Sequence, residues 1–379
     1  MQTSFDPLDI AVALMRCPSI TPKDAGALDV LQKHLEELGF HCTRLPFGEG
    51  EERVDNLYAR LGTSAPNFCF AGHTDVVPPG DIAEWSHDPF DAKVEDGWLI
   101  GRGAADMKGA VAAFVAACAK YGAPSTGSIS LLITGDEEGV ADYGTVKVLD
   151  WLREQGEQID HCLVGEPTSA FTLGDIIKNG RRGSLNAWLT VNGTQGHVAY
   201  PHRADNPIPR LIKFLDDVTA RHLDDGNEDF DPSNLEVTDI EVGNEATNII
   251  PAQAKARLNI RFNTEHRGRE LEAWLHEVAQ AQAGNHDLKV RISGEAFITK
   301  AGPFSALIQD AIQDVVHVDA KLSTSGGTSD ARFITHMCDV VEFGLVGTSM
   351  HKVDERVKAR DVVALAKIYE GVLARYFTP

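Results

Sequence analysis

The sequence has few cysteines and an excess of negative over positive charge. Its six cysteines are scattered over 379 residues with no Cys-x-x-Cys pair, which excludes a disulfide framework or a zinc-finger spacing. Cys69 and Cys162 lie inside apolar runs, as reduced core thiols do. Lysine and arginine number 35 against 56 aspartates and glutamates, a formal net charge of -21. This balance argues against nucleic acid or an anionic membrane as the main partner.

Long apolar runs and targeting segments are also missing. Residues 1–9 contain no basic region followed by an apolar stretch, so we expect no signal peptide. The longest apolar run, 110–119, is too short and alanine-rich to span a bilayer. Gly101 and Gly103 lack the third glycine of a dinucleotide-binding loop, and no P-loop lysine motif is present, which disfavours a nucleotide-dependent enzyme. A cytoplasmic enzyme fits these absences.

Apolar strand segments alternate with helical segments in the first half of the chain. Four segments have the composition of strands: residues 54–61, the run that ends at His73, residues 128–134 and residues 160–164. Helical segments separate the later strands. Residues 6–39 are predicted to be helical, with Leu28, Leu31, Leu35 and Leu38 at helical spacing. We therefore expect an α/β fold whose polar residues collect along one edge of a sheet.

The length of the chain favours two domains. The composition changes near Lys178, alternating strands and two helices fill the next hundred residues, and the earlier pattern resumes at about 294. We predict a discontinuous catalytic domain of residues 1–179 and 294–379. An inserted, smaller α+β domain would comprise residues 180–293.

Seven polar residues follow predicted strands or begin predicted helices. His73 and Asp75 are two apart, so their side chains can meet at the end of a strand. The residues suited to holding a metal are His73, Asp106, Glu138, Glu166 and His351, with Glu137 beside them. Imidazole and carboxylate ligands without thiolate suit zinc, cobalt or manganese. Each residue alone also fits a polar turn, a solvated acidic loop or a helix N-terminal carboxylate.

Five candidate ligands are too many for one catalytic ion but suit two ions that share a carboxylate. Glu137 and Glu138 are adjacent, and adjacent side chains leaving a strand point in different directions. One of the two can bind metal while the other accepts a proton from water. The predicted chemistry is metal-assisted hydrolysis.

Five motifs carry a resemblance to the M20 metallopeptidase/deacylase family: residues 71–78, 101–109, 134–139, 164–168 and 350–355. The resemblance implies a zinc-peptidase-like catalytic domain, with a mixed sheet flanked by helices, and an inserted dimerisation domain. It implies two zinc ions per subunit, for which cobalt may substitute. His73 and Glu166 would hold one ion and Glu138 and His351 the other. Asp106 would bridge them, Asp75 would orient His73, and Glu137 would be the general base.

Four further stretches narrow the resemblance: residues 178–184, 196–201, 247–251 and 323–333. They are similar to the family's amidohydrolases that remove a succinyl group from N-succinyl-LL-2,6-diaminopimelate. That substrate carries three carboxylates, which the forked donors of Arg181 and Arg261 match. The other substrate contacts implied are Tyr200, Asn248, Gly327 and Thr328. A homodimer is also implied, in which His197 reaches the active site of the partner and stabilises the oxyanion.

The sequence is also compatible with other functions. Another deacylase of the family, such as an N-acetylornithine deacetylase, or an aminopeptidase would use the same metal site. A catalytically silent scaffold on this fold is a rival from a different class, which the presence of Glu137 and a full ligand set disfavours. Many family members of the narrower group have an Asn-Ala-Thr stretch shortly before the last histidine, where this chain has Gly347.

Overall fold

The computed structural model describes residues 4–378, and it divides the chain into two compact units. The first unit runs to Asn179 and takes up Thr299–Ser323 and the segment from Ser329 onward. The second unit consists of Gly180–Ile298 and Thr324–Thr328. The first three residues, on which part of the signal-peptide prediction rests, lie outside the described residues.

Helices and strands alternate along most of the chain. Within residues 4–378 the α-helices are α1 (Pro7–Met15), α2 (Ala27–Glu37), α3 (Lys108–Tyr121), α4 (Thr145–Glu154), α5 (Ile208–Ala220), α6 (Gly268–Gln282), α7 (Pro303–Val316), α8 (Ala331–Ile334) and α9 (Ala359–Phe377). The strands up to the middle of the chain are β1 (His41–Phe47), β2 (Val54–Leu61), β3 (Asn67–His73), β4 (Lys93–Glu95), β5 (Trp98–Ile100), β6 (Ser128–Thr134), β7 (His161–Val164), β8 (Ile176–Lys178), β9 (Gly180–Arg181) and β10 (Gly183–Asn192). The later strands are β11 (Gly196–His197), β12 (Asn234–Glu241), β13 (Ile249–Ile250), β14 (Gln253–Phe262), β15 (His286–Gly294), β16 (Phe297–Ile298), β17 (Lys321–Ser323), β18 (Asp339–Glu342) and β19 (Arg356–Lys358).

The first unit is built on an eight-stranded mixed sheet. Its strand order is β1-β2-β6-β3-β7-β18-β8-β17, and the four central strands β6, β3, β7 and β18 run parallel. Parallel strands end at the same edge of a sheet, and in the register His73 lies beside Thr134. The polar residues that follow β3, β6 and β7 therefore emerge side by side.

One face of this sheet is covered by α3, α7 and α9. Phe68 and Phe70 point to the same face of β3, because side chains two apart on a strand share a face. Phe70 stacks on Phe114 of α3 with ring centroids 4.3 Å apart and meets Tyr369 of α9 edge-on at 5.6 Å. Every residue of β3 is buried. This packing holds the strand that ends in His73.

The prediction of helix over residues 6–39 is wrong in the middle of that range. The chain forms α1, then an irregular segment, and resumes with α2. Pro18 and Pro22 lie in the interruption, and proline cannot donate a helical hydrogen bond. Gly26 precedes α2 with φ of +88°, a left-handed conformation that breaks helical geometry.

The second unit has a four-stranded antiparallel sheet in the order β12-β14-β10-β15. Side chains along β14 alternate between exposed and buried, and the buried ones pack with residues of α5 and α6. Two short strand pairs, β11 with β13 and β16 with β9, complete the unit. Among residues 4–378, no helix has both the length and the apolar character that a membrane crossing requires.

Candidate metal centre

His73 lies at the end of β3, where its side chain is almost inaccessible to solvent. Its Nδ1 lies 2.9 Å from the backbone carbonyl of Asp75. A carbonyl only accepts, so Nδ1 carries the proton, and Nε2 is turned toward the acidic cluster. Nε2 lies 3.2 Å from Asp106 Oδ1 and 3.8 Å from Glu166 Oε1.

Asp106 lies between two histidines. Its Oδ1 faces His73, and its Oδ2 lies 3.2 Å from Nε2 of His351. Burial alone would raise the pKa of Asp106, but hydrogen bonds from His351 and His73 outweigh it and hold the pKa well below its usual range. Asp106 is therefore an ionised carboxylate whose two oxygens contact two different histidines, His73 and His351.

Glu137 and Glu138 leave β6 in a turn that the carboxylate of Asp75 holds. Their backbone N–H groups point to Asp75 Oδ1 and Oδ2, at 3.4 Å and 3.1 Å. The two glutamate side chains then diverge. Glu138 Oε1 lies 2.9 Å from His351 Nε2, whereas Glu137 groups with His73 and Glu166.

Two sets of side chains can each offer ligand atoms within 4.8 Å of one another. They are His73 with Asp106 and Glu138, and His73 with Glu137 and Glu166. His351 adds a third neighbour to the first set through its contacts with Asp106 and Glu138. All of these residues, and Asp75, belong to the first unit. The structure thus brings together the seven residues that sequence reasoning proposed for metal and proton chemistry.

The cluster contains more negative charge than its histidines can balance. Hydrogen bonds to Asp106 and Glu138 raise the pKa of His351 to about 10. Burial would lower the pKa of His73, but hydrogen bonds to Asp106 and Asp75 raise it well above its usual value. Burial and then the charge of Glu166 raise the pKa of Glu137 well above its usual value. Crowded carboxylates that need cations, together with imidazole nitrogens, fit divalent metal ions.

Sequence reasoning missed three buried charged residues near this cluster. Asp330 is 5% exposed, and its charge adds to those that raise the pKa of Glu137. Arg102 and Glu355 form a buried ion pair at 2.7 Å. All three lie inside segments that resemble the M20 family, namely residues 101–109, 323–333 and 350–355. Their spacing in the sequence does not distinguish them from ordinary turn residues. Only the tertiary contacts reveal them.

The predicted substrate contacts lie in the second unit. Arg181 is 9% exposed and its Nη1 donates to the carbonyl of Gly327 at 3.1 Å. Arg261 donates from Nε to Asn259 Oδ1 at 3.1 Å, and its buried Nη1 has no hydrogen-bond partner within the described residues. Burial, followed by the charge of Arg182, lowers the pKa of Arg261. Thr328 is half-buried beside Gly327.

His197, Tyr200 and Asn248 come together around the β11–β13 pair. The ring of Tyr200 lies 5.7 Å from that of His197 and is 52% exposed. The carbonyl of Asn248 accepts from Val198 N at 3.0 Å. His197 Nδ1 accepts from Ala199 N at 3.0 Å, which leaves its Nε2 directed away from that contact.

Gly347 occupies a position with little room for a side chain. A Cβ atom at this residue would lie 2.7 Å from the carbonyl oxygen of Pro167. The backbone around 347 must therefore shift before an asparagine can be accommodated here.

The chain matches the family described as peptidase family M20/M25/M40 over residues 69–375. It is 58% identical to a succinyl-diaminopimelate desuccinylase of Caulobacter vibrioides, over 100% of this chain and 97% of the relative. It is 57% identical to a protein of the same name from Parvibaculum lavamentivorans, over 98% of this chain and 96% of the relative.

Two solved structures share the fold at low sequence identity. An M20 family metallo-carboxypeptidase from Sulfolobus solfataricus superposes with a TM-score of 0.82 at 18% identity, over 98% of this chain and 99% of that one. The YXEP protein of Bacillus subtilis, described as a dinuclear metal binding peptidase, gives a TM-score of 0.70 at 15% identity, over 98% and 97%.

Proposed function

The chain belongs to peptidase family M20/M25/M40, and we propose that it is a metal-dependent amidohydrolase acting on N-succinyl-LL-2,6-diaminopimelate. The products are succinate and LL-2,6-diaminopimelate, in the biosynthesis of diaminopimelate and lysine. The observation that carries the proposal is 57–58% identity, over nearly the whole of both chains, to relatives named for this reaction. A scaffold without activity is disfavoured, because the acidic and imidazole side chains are all present and juxtaposed.

The proposed metals are two zinc ions per subunit, with cobalt able to replace them. His73 and Glu166 would hold one ion, Glu138 and His351 the other, and Asp106 both. The two oxygens of Asp106 face His73 and His351 respectively, which supports a bridging role. When bound, such ions acidify water and polarise a carbonyl. The family relationship and the donor set support this pair of sites.

Glu137 is the proposed general base. Burial and the charge of Glu166 raise its pKa, and a raised pKa favours acceptance of a proton by this carboxylate. The oxygen of water attacks the succinyl carbonyl carbon while Glu137 takes the proton of that water. The carbon–nitrogen bond then breaks, and Glu137 passes the proton to the departing amine nitrogen. Asp75 holds the turn that presents Glu137, through the backbone N–H groups of residues 137 and 138.

Substrate carboxylates are the proposed partners of Arg181 and Arg261. The unpaired Nη1 of Arg261 supports this role, because a buried guanidinium N–H without an acceptor is costly unless a ligand supplies one. Tyr200, Asn248, Gly327 and Thr328 are the further proposed contacts. Burial of Arg181 and its bond to Gly327 place a positive charge beside the 326–328 turn.

We also propose a homodimer formed through the second unit. Ile212 of α5 and Ile240 of the edge strand β12 are 60% and 59% exposed, and the edge strand offers unpaired backbone groups to a second copy. His197 would then act on the oxyanion in the partner subunit.

Light scattering measures the oligomeric state of Ile240→Lys and so tests the interface. The control is Ile82→Lys, at a residue of the first unit that is 58% exposed. A dimeric Ile240→Lys protein would rule this surface out.

A cytoplasmic location is the remaining proposal. The six cysteines are all free thiols in the structure, as expected for a reducing compartment. Fractionation of the source cells would test it, and recovery of the protein outside the cytoplasm would contradict it.

The decisive experiment measures amide hydrolysis by the zinc-loaded protein on N-succinyl-LL-2,6-diaminopimelate and N-acetylornithine, side by side. We expect a clear preference in kcat/KM for the succinyl substrate. Preference for N-acetylornithine would keep the metal site and overturn the substrate. Turnover of neither substrate by a protein with two bound zinc ions would favour the silent scaffold.

A further inference from the structure

Glu355 is a fully buried carboxylate that has no role in the proposed mechanism. It ends the segment that begins at His351, and its side chain enters the turn that carries Asp106. Oε1 accepts the N–H groups of Ala105 and Asp106 at 2.8 Å and 3.1 Å, and Oε2 accepts that of Gly103 at 3.2 Å. Successive N–H groups that converge on one carboxylate fix the shape of a turn.

Arg102 completes this arrangement and extends it to a third loop. Its Nη1 donates to Glu355 Oε2 at 2.7 Å and to the carbonyl of Lys352 at 3.3 Å. Its Nη2 donates to the carbonyl of Pro78, in the loop after β3, at 3.4 Å. The Arg102–Glu355 pair therefore ties together the loop after His73, the turn of Asp106 and the segment of His351.

The segment from 351 to 355 needs such an anchor. His351 and Asp354 have φ values of 62° and 55°, in the left-handed region that side chains other than glycine disfavour. The Asp354 side chain is held by Ser86, through the backbone N at 2.8 Å and Oγ at 2.7 Å. Glu355 is the next residue, and its carboxylate is held by Arg102 and the turn of Asp106, so the unusual backbone that presents His351 is fixed from its C-terminal side.

We infer that Glu355, paired with Arg102, is a positioning residue that sets the spacing between Asp106 and His351. It acts through the backbone and touches neither substrate nor the proposed ligand atoms. Ligands held in place before binding lose less conformational freedom when the ion arrives, so this pair raises affinity for the ion that Asp106, Glu138 and His351 would share. The inference rests on the proposed metal-dependent function.

The test is Glu355→Gln, which keeps one oxygen but turns an amide N–H₂ toward backbone donors. Zinc affinity is measured by competition with a chromophoric chelator, and thermal unfolding is followed with zinc and with excess chelator. We expect one of the two zinc ions to bind about 10- to 100-fold more weakly. The rise in Tm that zinc produces should shrink, whereas a merely structural role would lower Tm equally under both conditions.

Asp175→Asn is the matched control. Asp175 also accepts three backbone N–H groups in the first unit, from Ala170, Phe171 and Thr172 at 2.8, 2.8 and 3.0 Å, on a turn without a predicted ligand. This variant should lose Tm but keep both zinc affinities. If Glu355→Gln does not fold, Arg102→Gln/Glu355→Gln removes both buried charges and takes the same assays.

The outcomes separate the two proposals. Wild-type zinc affinities in a folded Glu355 variant, or an unchanged zinc-induced rise in Tm, would overturn the positioning role. A wild-type protein that binds no zinc would instead overturn the metal-dependent function.

Discussion

Glu137 and Glu138 are neighbours in sequence with different surroundings. Glu138 pairs with His351, whereas Glu137 faces His73 and Glu166 and has a strongly raised pKa because of burial and the charge of Glu166. The difference follows from their positions after a strand, since the turn sends consecutive side chains apart. Two identical functional groups can thus divide the work of metal binding and proton transfer.

Glu137→Gln should abolish nearly all turnover while both metals stay bound. The amide cannot accept the proton of water, so we expect kcat to fall by about 10²- to 10⁴-fold. Metal content by atomic emission and kcat for the succinyl substrate check this together.

Glu138→Gln is the control for Glu137, because it alters a proposed ligand at the adjacent residue. It should lose metal as well as activity. A Glu137→Gln protein with wild-type kcat would remove Glu137 from the mechanism.

Asp224 is an acceptor for several groups in the second unit. Burial would raise its pKa, but hydrogen bonds from Ser233, Gly226 and Asn263 lower it to about 2. His266 Nε2 also lies 2.9 Å from its carboxylate. A pKa lowered in the folded state means stability that is complete above the unfolded pKa of about 3.9 and is lost as pH falls through the folded pKa.

Asp224→Asn should therefore destabilise the protein at pH 5 by about 1 to 2 kcal/mol and by less at pH 3. Urea unfolding of the two proteins at both pH values measures the difference. Asp225→Asn, whose side chain is 95% exposed, should have little effect at either pH. An Asp224→Asn penalty that grows as the pH falls would contradict the sign of this shift.

The elements of the first unit are held by aromatic packing between β3, α3 and α9. Phe114 is fully buried, and its ring stacks 4.3 Å from Phe70 and lies 5.7 Å from Tyr369. Because Phe70 belongs to the strand that ends in His73, this packing also supports the candidate metal centre.

Phe114→Ala should lower the free energy of unfolding by about 3 to 5 kcal/mol, through lost burial and the cavity that remains. Phe171→Ala, at a residue 85% exposed, should change it by no more than about 0.5 kcal/mol. Urea denaturation of both variants is the measurement. A Phe114→Ala loss no larger than that of the exposed control would show that the stack does not support the sheet.

Local patterns predicted strands and helices better than their interruptions. The apolar pattern predicts strands over residues 54–61 and 128–134 and in the run that ends at His73, and the structure contains β2, β6 and β3 there. The helix predicted over residues 6–39 failed because the leucine spacing of residues 28–38 describes α2 alone, whereas Pro18 and Pro22 interrupt the backbone before it. The roles of Asp330 and Glu355 could not be predicted, since they depend on contacts between segments far apart in sequence.

At the scale of the whole molecule, the proposed dimer makes each active site depend on two chains. A mixture of His197→Ala and Glu137→Gln subunits should recover activity, because one site of each mixed dimer has both residues. Random exchange of equal amounts should give about a quarter of wild-type activity. Steady-state rates after confirmed subunit exchange measure it, with each variant alone as the control. No recovery would show that His197 does not act across the interface.

The order of strands in the first unit also bears on how the chain is made. β18 lies between β7 and β8 in the sheet, although Asp339, its first residue, comes long after Lys178 has ended β8. His73, Asp106, Glu137 and Glu138 therefore emerge from the ribosome well before β18, which joins β7 to β8, and before His351. Until then an open strand edge is available to neighbouring nascent chains. Completion of the sheet, and any metal loading that needs His351, must await the release of the C-terminal segment.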